Sequence, residues 1–503
     1  MKCAIPGTHL ENDRTPLRAG ARVAYNNTVS SFYVENFGCR ATQADGAVIA
    51  RELQACGMMP AEAPGHAQLV VLNTCTVTAS ADRDVRAAIR RIHRQNPACR
   101  ILVTGCYAQR APREIAALPG VSAVIGNSHK AHVAQIACGL QPGAGPQGVP
   151  GKPGVPGEPA FGLLGSGCPA GASNLVPLTP ARDNAAAPEI YVGDIFAHTE
   201  LAAALVFEGG GRTRPNLKVQ DGCNNRCSFC VIPAVRGRSR SLPLDDALRE
   251  VRALVECGYR EVVISGINLG RWGRDLPGAP RFEQLLLAIL ENTLLEKLRI
   301  SSVEPMDWSD ALIALVAESA RIAHHAHVPL QSGSDRVLRQ MHRRYRPWHY
   351  AERIRRIRAA MPLAAIGADV MVGFPGEADL DFEETRALVE QLPFTYLHVF
   401  TYSARPGTSA AQMPGQVPPP LMKERNRILR ELAVRKKLDF MQSLVGRTMT
   451  ALTLHSGDAG HTEALTDNYL KLRLPGHHEP NRWVVATIAS ADSAGLMGAV
   501  NHP

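Results

Sequence analysis

No stretch of eighteen apolar residues occurs in the 503-residue chain, so no segment reads as a membrane-spanning helix. The first thirty residues lack the apolar core of a secretory signal and are expected to form a poorly ordered extension of a cytoplasmic protein. The composition is not that of a disordered chain either: 45% hydrophobic and 20% charged residues leave room for large cores. A second pair of closely spaced metal ligands is also missing. "DGCNNRCSFC" at 221–230 brings Cys223, Cys227 and Cys230 together, but no CxxC or CxxH follows at finger-like distance, so a closed four-ligand zinc site is not supplied locally. Excess basic charge is absent from the C-terminal stretch, where Arg447, Lys471, Arg473 and Arg482 stand against Asp458, Glu463, Asp467, Glu479 and Asp492. That stretch cannot supply the main attraction for phosphate.

Positive charge is present elsewhere. The formal net charge of +9 favours an anionic partner, with nucleic acid the leading class. Residues 83–110 carry seven arginines against Asp84 alone, and residues 335–358 carry nine against Asp335 and Glu352. Solvated helix faces explain most such runs, but arginine forks onto phosphate and here far outnumbers lysine. "MHRRYRPWHY" at 341–350 interleaves Arg with aromatics and could grip phosphate and stack a base; packing of Tyr345 and Trp348 against the fold is the competing reading.

Twelve cysteines in a chain of this kind point to metal or thiolate chemistry rather than disulfides. Three end strand-like apolar runs: "SFYVENFGC" at Cys39, "QLVVLNTC" at Cys75 and "RILVTGC" at Cys106. Helical patterns lie between them, with Gly57 and Pro97 as stop signals. Such a βαβαβα order implies a parallel sheet, whose carboxyl ends share one edge, so the three thiols are expected to converge there. Cys56, Cys99 and Cys138 fall outside the pattern and read as buried small residues.

The composition then breaks. Gly145, Gly148, Gly151, Gly154 and Gly157 repeat at the collagen period, too briefly for a triple helix, within a flexible linker that also holds Cys168. From residue 215 six strand patterns alternate with helical ones, which predicts an incomplete (β/α)6 barrel. Gly266, Glu304, Gln331 and Tyr402 fall just past strand ends, on the face where such barrels carry their chemistry, and the cysteine triplet follows the first strand onto the same face. His324, His325 and His327 read as satisfied strand or loop histidines rather than zinc ligands. After a last helix, "TMTALTL", "NYLKLRL" and "WVVATIAS" predict a small β-barrel.

Three thiolates on a four-iron cube leave one iron open, which suits "CNNRCSFC" better than zinc does. C-x3-C-x2-C after the first strand of a β/α barrel resembles the radical S-adenosylmethionine (SAM) enzymes. The resemblance implies that SAM binds the open iron and is cleaved to methionine and a 5′-deoxyadenosyl radical. "ISGINLG" at 264–270 is similar to the glycine strand near SAM, which makes Gly266, Glu304 and Gln331 candidate SAM contacts. With "FGC", "NTCTVT" and "TGCYAQ" ahead of the barrel and "PLQSGSD", "VGFPGE" and "YSARPGT" inside it, the chain resembles the methylthiotransferases over 31–137 and 213–500. That likeness implies a second [4Fe-4S] cluster on Cys39, Cys75 and Cys106, and a C-terminal barrel of the TRAM kind. It also implies replacement of an aromatic C–H by C–S–CH3 at the cost of two SAM molecules. The expected layout is an extension over 1–30, an N-terminal α/β domain over 31–137 and a linker over 138–208. The radical-SAM barrel then occupies 209–440 and the TRAM-like barrel 441–503. The implied partners are tRNA at the anticodon stem-loop, an electron donor such as flavodoxin or ferredoxin, and a sulfur donor.

"NTCTVT", "ADRDVR", "TGCYAQ" and "VQDGC" are most similar to the branch acting on N6-threonylcarbamoyladenosine. The isopentenyladenosine branch more often has Arg in place of Thr78, and the branch acting on a ribosomal-protein aspartate shares the architecture. One departure is Thr42, where the family often has Asn. A zinc- or cluster-stabilised RNA-binding protein without radical chemistry is the reading from a different class.

Overall fold

Unbroken apolar runs such as "LVVL" at 69–72 need cover on both faces of a sheet. The computed structural model, which describes residues 31–139, 187–198, 201, 213–458 and 460–501, provides it. Strands β1 (Ser31–Asn36), β2 (Met59–Pro60), β3 (Leu69–Thr74), β4 (Arg100–Gly105), β5 (Val121–Gly126) and β6 (Glu189–Tyr191) form one parallel sheet in the order β2-β1-β3-β4-β5-β6. Leu69 and Val71 enter one core with Ile49 and Leu53 of α1 (Arg40–Ala55). Val70 and Leu72 enter the opposite core with Val85, Ile89 and Ile92 of α2 (Ala79–Gln95). Short helices α3 (Cys106–Arg110), α4 (Pro112–Ala116) and α5 (Val133–Ala137) complete the layers. The extension over 1–30 and the collagen-period tract with Cys168 lie outside the described residues. Part of the 138–208 stretch read as linker is instead β6, because "EIYV" follows the Gly/Pro tract as a short glycine-free apolar run and pairs with β5.

The next six parallel strands are β7 (Asn216–Asp221), β9 (Glu261–Gly266), β10 (Lys297–Ile300), β11 (His325–His327), β12 (Ala365–Val372) and β13 (Tyr396–Thr401), with the two-residue β8 (Arg240–Ser241) antiparallel to β7. Single bridges Leu298↔Ile322 and Ser302↔His327 join β10 to β11, so the strands curve into a six-stranded partial barrel left open between β13 and β7. Helix α6 (Ile232–Arg236) follows the cysteine triplet, and α7 (Leu244–Glu256), α8 (Phe282–Asn292), α9 (Asp310–Glu318), α10 (Asp335–Gln340), α11 (Pro347–Ala360) and α12 (Asp379–Gln391) form the outer layer. Alternation along each strand decides the two sides. Leu217, Val219, Val262, Ile264, Ile366 and Ala368 pack outward under the helices. Their neighbours, including Lys218, Ser265, Arg299, His327, Asp369 and Tyr396, line a polar lumen.

Helix α13 (Pro419–Gln442) leads to β14 (Thr448–Asp458), β15 (His461–Thr466), β16 (Lys471–Pro475), β17 (Trp483–Ala491) and β18 (Leu496–Val500), which close as β14-β15-β16-β18-β17. The predicted small barrel is there, with two strands beyond the three expected, "HTEALT" and "LMGAV". The module docks through its β15–β16 turn. Tyr469, held at a φ of 69°, sets its ring 4.6 Å from that of His325 and accepts a hydrogen bond from Arg40 Nη2 at 2.8 Å. The buried Arg299 pairs with Glu261 and donates to the Asp467 carbonyl at 2.9 Å. The β-barrel thereby caps the N-terminal mouth of the lumen.

Candidate functional site

The strand register ends β1, β3 and β4 level: Asn36 pairs with Asn73, and Thr74 with Gly105. Cys39, Cys75 and Cys106 follow within a few residues, so one sheet edge receives all three. Gly38, at a φ of 115°, makes the approach possible, since a Cβ there would lie 2.5 Å from Cys75 Cβ and 3.0 Å from Cys75 Sγ. Cys106 and Cys75 are buried and Cys39 is exposed, which leaves one open side. Burial, then the neighbouring Cys106 and Cys39, pushes the Cys75 thiol up to about 12. Loading the site therefore requires proton release. Asn127 Nδ2 points at Cys106 Sγ at 3.5 Å, and Thr42 Oγ1 lies 3.6 Å from Cys39 Sγ. Thr42, the departure from the family pattern, thus lies against Cys39, and Asn73 Nδ2 donates to its carbonyl at 2.6 Å. Of the other thiols, Cys99 is buried, whereas Cys56 is exposed and Cys138 half-buried.

The second triplet leaves β7 through Gly222, at a φ of 71°, where a Cβ would meet the Arg238 carbonyl oxygen at 1.9 Å. Donors surround these sulfurs too. The Asn225 backbone N–H and Asn268 Nδ2 face Cys223 Sγ at 3.4 and 3.6 Å, and Arg343 Nη1 faces Cys227 Sγ at 3.4 Å. Burial pushes the Cys230 thiol up to about 12. The loop is pinned from below by Ser228, whose Oγ donates to the Gln340 carbonyl at 2.8 Å, and Phe229 packs beside Phe374 and Tyr402.

Arg343 joins several of the sequence candidates. It ion-pairs with Glu304, reaches Cys227 and lies over the Tyr345 ring at 4.9 Å. The 341–350 stretch is therefore split: Arg343, Tyr345 and Tyr350 are buried, while Arg344 and Trp348 are exposed. Gly266 lies against Gln220, whose Nε2 donates to the Gly222 carbonyl at 2.9 Å and whose Oε1 accepts from the Asn268 backbone N–H at 2.7 Å. Gln331, at a φ of 67°, is held through its backbone between Asp369 and Met371. A polar cavity of about 220 Å³, lined by Asn225, Asn268, Arg271, Arg274 and Arg344 among others, opens beside Cys223.

The donor sets fit iron–sulfur clusters. Each site offers three thiols with N–H groups aimed at sulfur, and the buried Oδ1 atoms of Asn268 and Asn127 have no protein partner. Among the described residues no three His, Cys, Asp or Glu groups are spaced for a single metal ion, as zinc would need. His325 and His327 are hydrogen-bonded inside the barrel, to Tyr396 and Ser302 at 2.7 Å each, but only half satisfied, because His325 Nδ1 and His327 Nε2 are buried without a hydrogen-bond partner among the described residues. Burial, then Arg299, holds His325 well below its usual pKa, so it is neutral at pH 7.

Sequence reasoning missed the join between the two sites. Val231, which follows Cys230, and Val235 of the adjoining α6 pack on Cys106, and Asn127 Nδ2 donates to the Val235 carbonyl at 2.7 Å. Arg236 at its end is 1% exposed and pairs with Asp221 at 2.8 Å and with Asp45 of α1 at 3.1 Å. Lys130 reaches the same Asp45 at 2.7 Å, and Lys218 reaches Asp221 at 2.9 Å and Asp45. A second bond between domains runs from Arg405, in "YSARPGT", to Asp82 and to Thr76 Oγ1. The only sequence signal was an acid or base inside an apolar helix or strand.

Comparison with known proteins agrees with this architecture. Residues 31–126 match the uncharacterized protein family UPF0004, and residues 217–389 match the radical SAM superfamily. The chain is 33% identical over 453 residues to a threonylcarbamoyladenosine tRNA methylthiotransferase of Aquifex aeolicus, covering 90% of this chain and 98% of that protein. It is 33% identical over 477 residues to a tRNA-2-methylthio-N(6)-dimethylallyladenosine synthase of Saccharopolyspora erythraea, covering 94% and 87%. Among solved structures, the radical SAM methyltransferase TsrM of Kitasatospora setae, with cobalamin and a [4Fe-4S] cluster bound, superposes with a TM-score of 0.52 at 15% identity. That superposition covers 76% of this chain and 77% of the other, a likeness of fold.

Proposed function

The chain belongs to the radical-SAM methylthiotransferase family, and we propose that it converts N6-threonylcarbamoyladenosine beside the tRNA anticodon to its 2-methylthio derivative in the cytoplasm. The observation that carries this reading is the likeness to the Aquifex aeolicus threonylcarbamoyladenosine enzyme over 98% of that protein's length. Cys223, Cys227 and Cys230 would hold one [4Fe-4S] cluster, and Cys39, Cys75 and Cys106 a second. When bound, the first supplies the electron that cleaves SAM, and the second takes part in sulfur delivery. A flavodoxin or ferredoxin would serve as electron donor, and a separate sulfur donor would replenish the methylthio sulfur.

The protein's own groups have distinct tasks in this reading. Arg343 fixes Glu304 and the Cys227 loop with one guanidinium, so the carboxylate stays oriented. Asn268 and the Asn225 N–H donate toward Cys223, which stabilises negative charge on that sulfur. Gly266, Glu304 and Gln331 lie at strand ends on this rim as candidate SAM contacts. The lumen beneath excludes bulk water from below, because Tyr469 and the Arg299–Glu261 pair close its base.

Mass spectrometry of tRNA nucleosides from a deletion strain tests the substrate. The 2-methylthio form of threonylcarbamoyladenosine is expected to disappear, with its precursor accumulating. Loss of methylthio from dimethylallyladenosine instead, with the threonylcarbamoyl nucleoside unchanged, would reassign the substrate to the second reading, which the Saccharopolyspora erythraea likeness favours.

A further inference from the structure

We propose that the groove between α2, the free edge of β13 and α13 is a binding site for the single-stranded RNA that flanks the target base. Phosphates would lie on Arg83, Lys423 and Arg430, and a base against Phe400. The groove encloses about 460 Å³. Its cations are segregated from the paired ones on the same helices. On α13, Arg425 pairs with Asp379, Arg427 with Glu424 and Glu431, and Arg435 with Glu390. Lys423 and Arg430, two helical turns apart on the groove side, have no carboxylate partner among the described residues. On α2, Arg86 pairs with Glu114 and Arg91 with Glu35, whereas Arg83, exposed on the groove, has no carboxylate partner among the described residues, as is also true of the exposed Arg90 and Arg94 farther along the helix. Unpaired cations keep their full attraction for phosphate.

The floor suits a single strand. Strand β13 ends its sheet, so its outer edge offers backbone groups, one of which, the Val399 carbonyl, already accepts from Asn426 Nδ2 at 3.2 Å. Phe400 is 44% exposed although apolar. It ends a chain of rings that runs through His398 and Tyr396 down the lumen, at centroid separations of 6.4 and 5.4 Å. A nucleotide stacked on Phe400 would thus sit at the rim of the cavity that receives the target base. The walls are fixed to each other, because the Ala79 backbone N–H donates to Ser403 Oγ at 3.0 Å. Thr78, three residues beyond Cys75, lines the same groove. An acidic peptide adding a strand to β13 is the competing occupant; the exposed phenyl ring and its continuity with the lumen favour RNA.

The inference rests on the tRNA reading, and the experiment separates the two. Binding of a fluorescent anticodon stem-loop RNA to the cluster-loaded full chain is measured by anisotropy across a salt series. The variants are Phe400→Ala and the triple Arg83→Ala/Lys423→Ala/Arg430→Ala. The triple variant is expected to bind about 10- to 100-fold more weakly at low salt and to lose about 2 from the magnitude of the slope of log K against log salt. Phe400→Ala is expected to lose about 5- to 100-fold with the slope unchanged. Thermal midpoint and iron content, unchanged in both, show that the fold is intact. Wild-type affinity and slope in the triple variant overturn the groove while leaving the tRNA reading in place. Failure of the wild-type protein to bind the RNA overturns that reading itself. Lost binding of a poly-glutamate peptide with the RNA slope unaltered would reassign the groove to an acidic protein.

Discussion

Cys227→Ala is expected to abolish the release of 5′-deoxyadenosine from SAM while about four irons per chain remain, against about eight in the wild-type protein. The split follows from where the six thiols lie. Cys227 stands between Cys223 and Cys230 on one loop, with Arg343 turned toward its sulfur, and no thiol of the N-terminal sheet belongs to that loop. Cys39, Cys75 and Cys106 are positioned by three strand ends that do not depend on it. The reciprocal change, Cys75→Ala, is expected to halve the iron in the same way but to leave SAM cleavage measurable. Iron, acid-labile sulfide and 5′-deoxyadenosine are assayed on anaerobically prepared protein. Continued SAM cleavage by Cys227→Ala would remove the radical role from this triplet, and one zinc without sulfide in the wild type would remove the family chemistry altogether.

The second large effect is on stability. Arg236→Met is expected to cost about 3–5 kcal/mol, because it leaves Asp221 and Asp45 buried with less compensating charge. Burial alone would raise both carboxyls. For Asp221 the Arg236 and Lys218 charges reverse that, and for Asp45 those of Lys130, Lys218 and Arg236 do, so both are held well below the usual carboxylate range. Carboxyls depressed in the folded state contribute stability that is complete above their unfolded pKa of about 3.9 and is lost as pH falls toward the folded values. The wild-type contact is therefore expected to persist down to about pH 4 and to weaken below it. In Arg236→Met both folded values rise toward the unfolded one, so less stability is left to lose below about pH 4 and the acid dependence flattens. Urea unfolding of the apoprotein from pH 7 down to about pH 2 measures both effects, read from the first cooperative transition. An unchanged midpoint at pH 7 would mean that the cluster is neutral in the net balance, as some buried ion pairs are.

How much of this was legible in the sequence depends on the range of the interaction. The strand-end cysteines at 39, 75 and 106 could be brought together in advance, because period-two strands and connecting helices determine where a parallel sheet ends. The partial barrel was readable for the same reason. The polar residues in its strands were not understood as lumen, although Lys218, Arg299 and His327 alternate with apolar neighbours. Arg343 is a sharper case. Set among five other arginine or aromatic residues, it reads in the sequence as part of an RNA grip, yet it is buried on Glu304 and Cys227. Only the tertiary path of the chain after β11 decides that. The arginine runs divided likewise: Arg86, Arg91, Arg110, Arg336, Arg339 and Arg346 have carboxylate partners brought from elsewhere in the fold or from the same helix. Composition counts charges, and only three dimensions show which remain free.

The five residues of α6 have a bearing on how such a protein can be recombined. With Val231, the residue just before the helix, they press Val235 onto Cys106 and send Arg236 into the carboxylate of Asp45, so the surface that completes the N-terminal sheet is encoded within the barrel. The N-terminal unit is consequently not an exchangeable cartridge. A chimera that takes residues 31–198 from one relative and the remainder from another would join mismatched halves of a single buried seam. Grafts that carry α1, Asn127, Lys130 and α6 together are the ones that would preserve it.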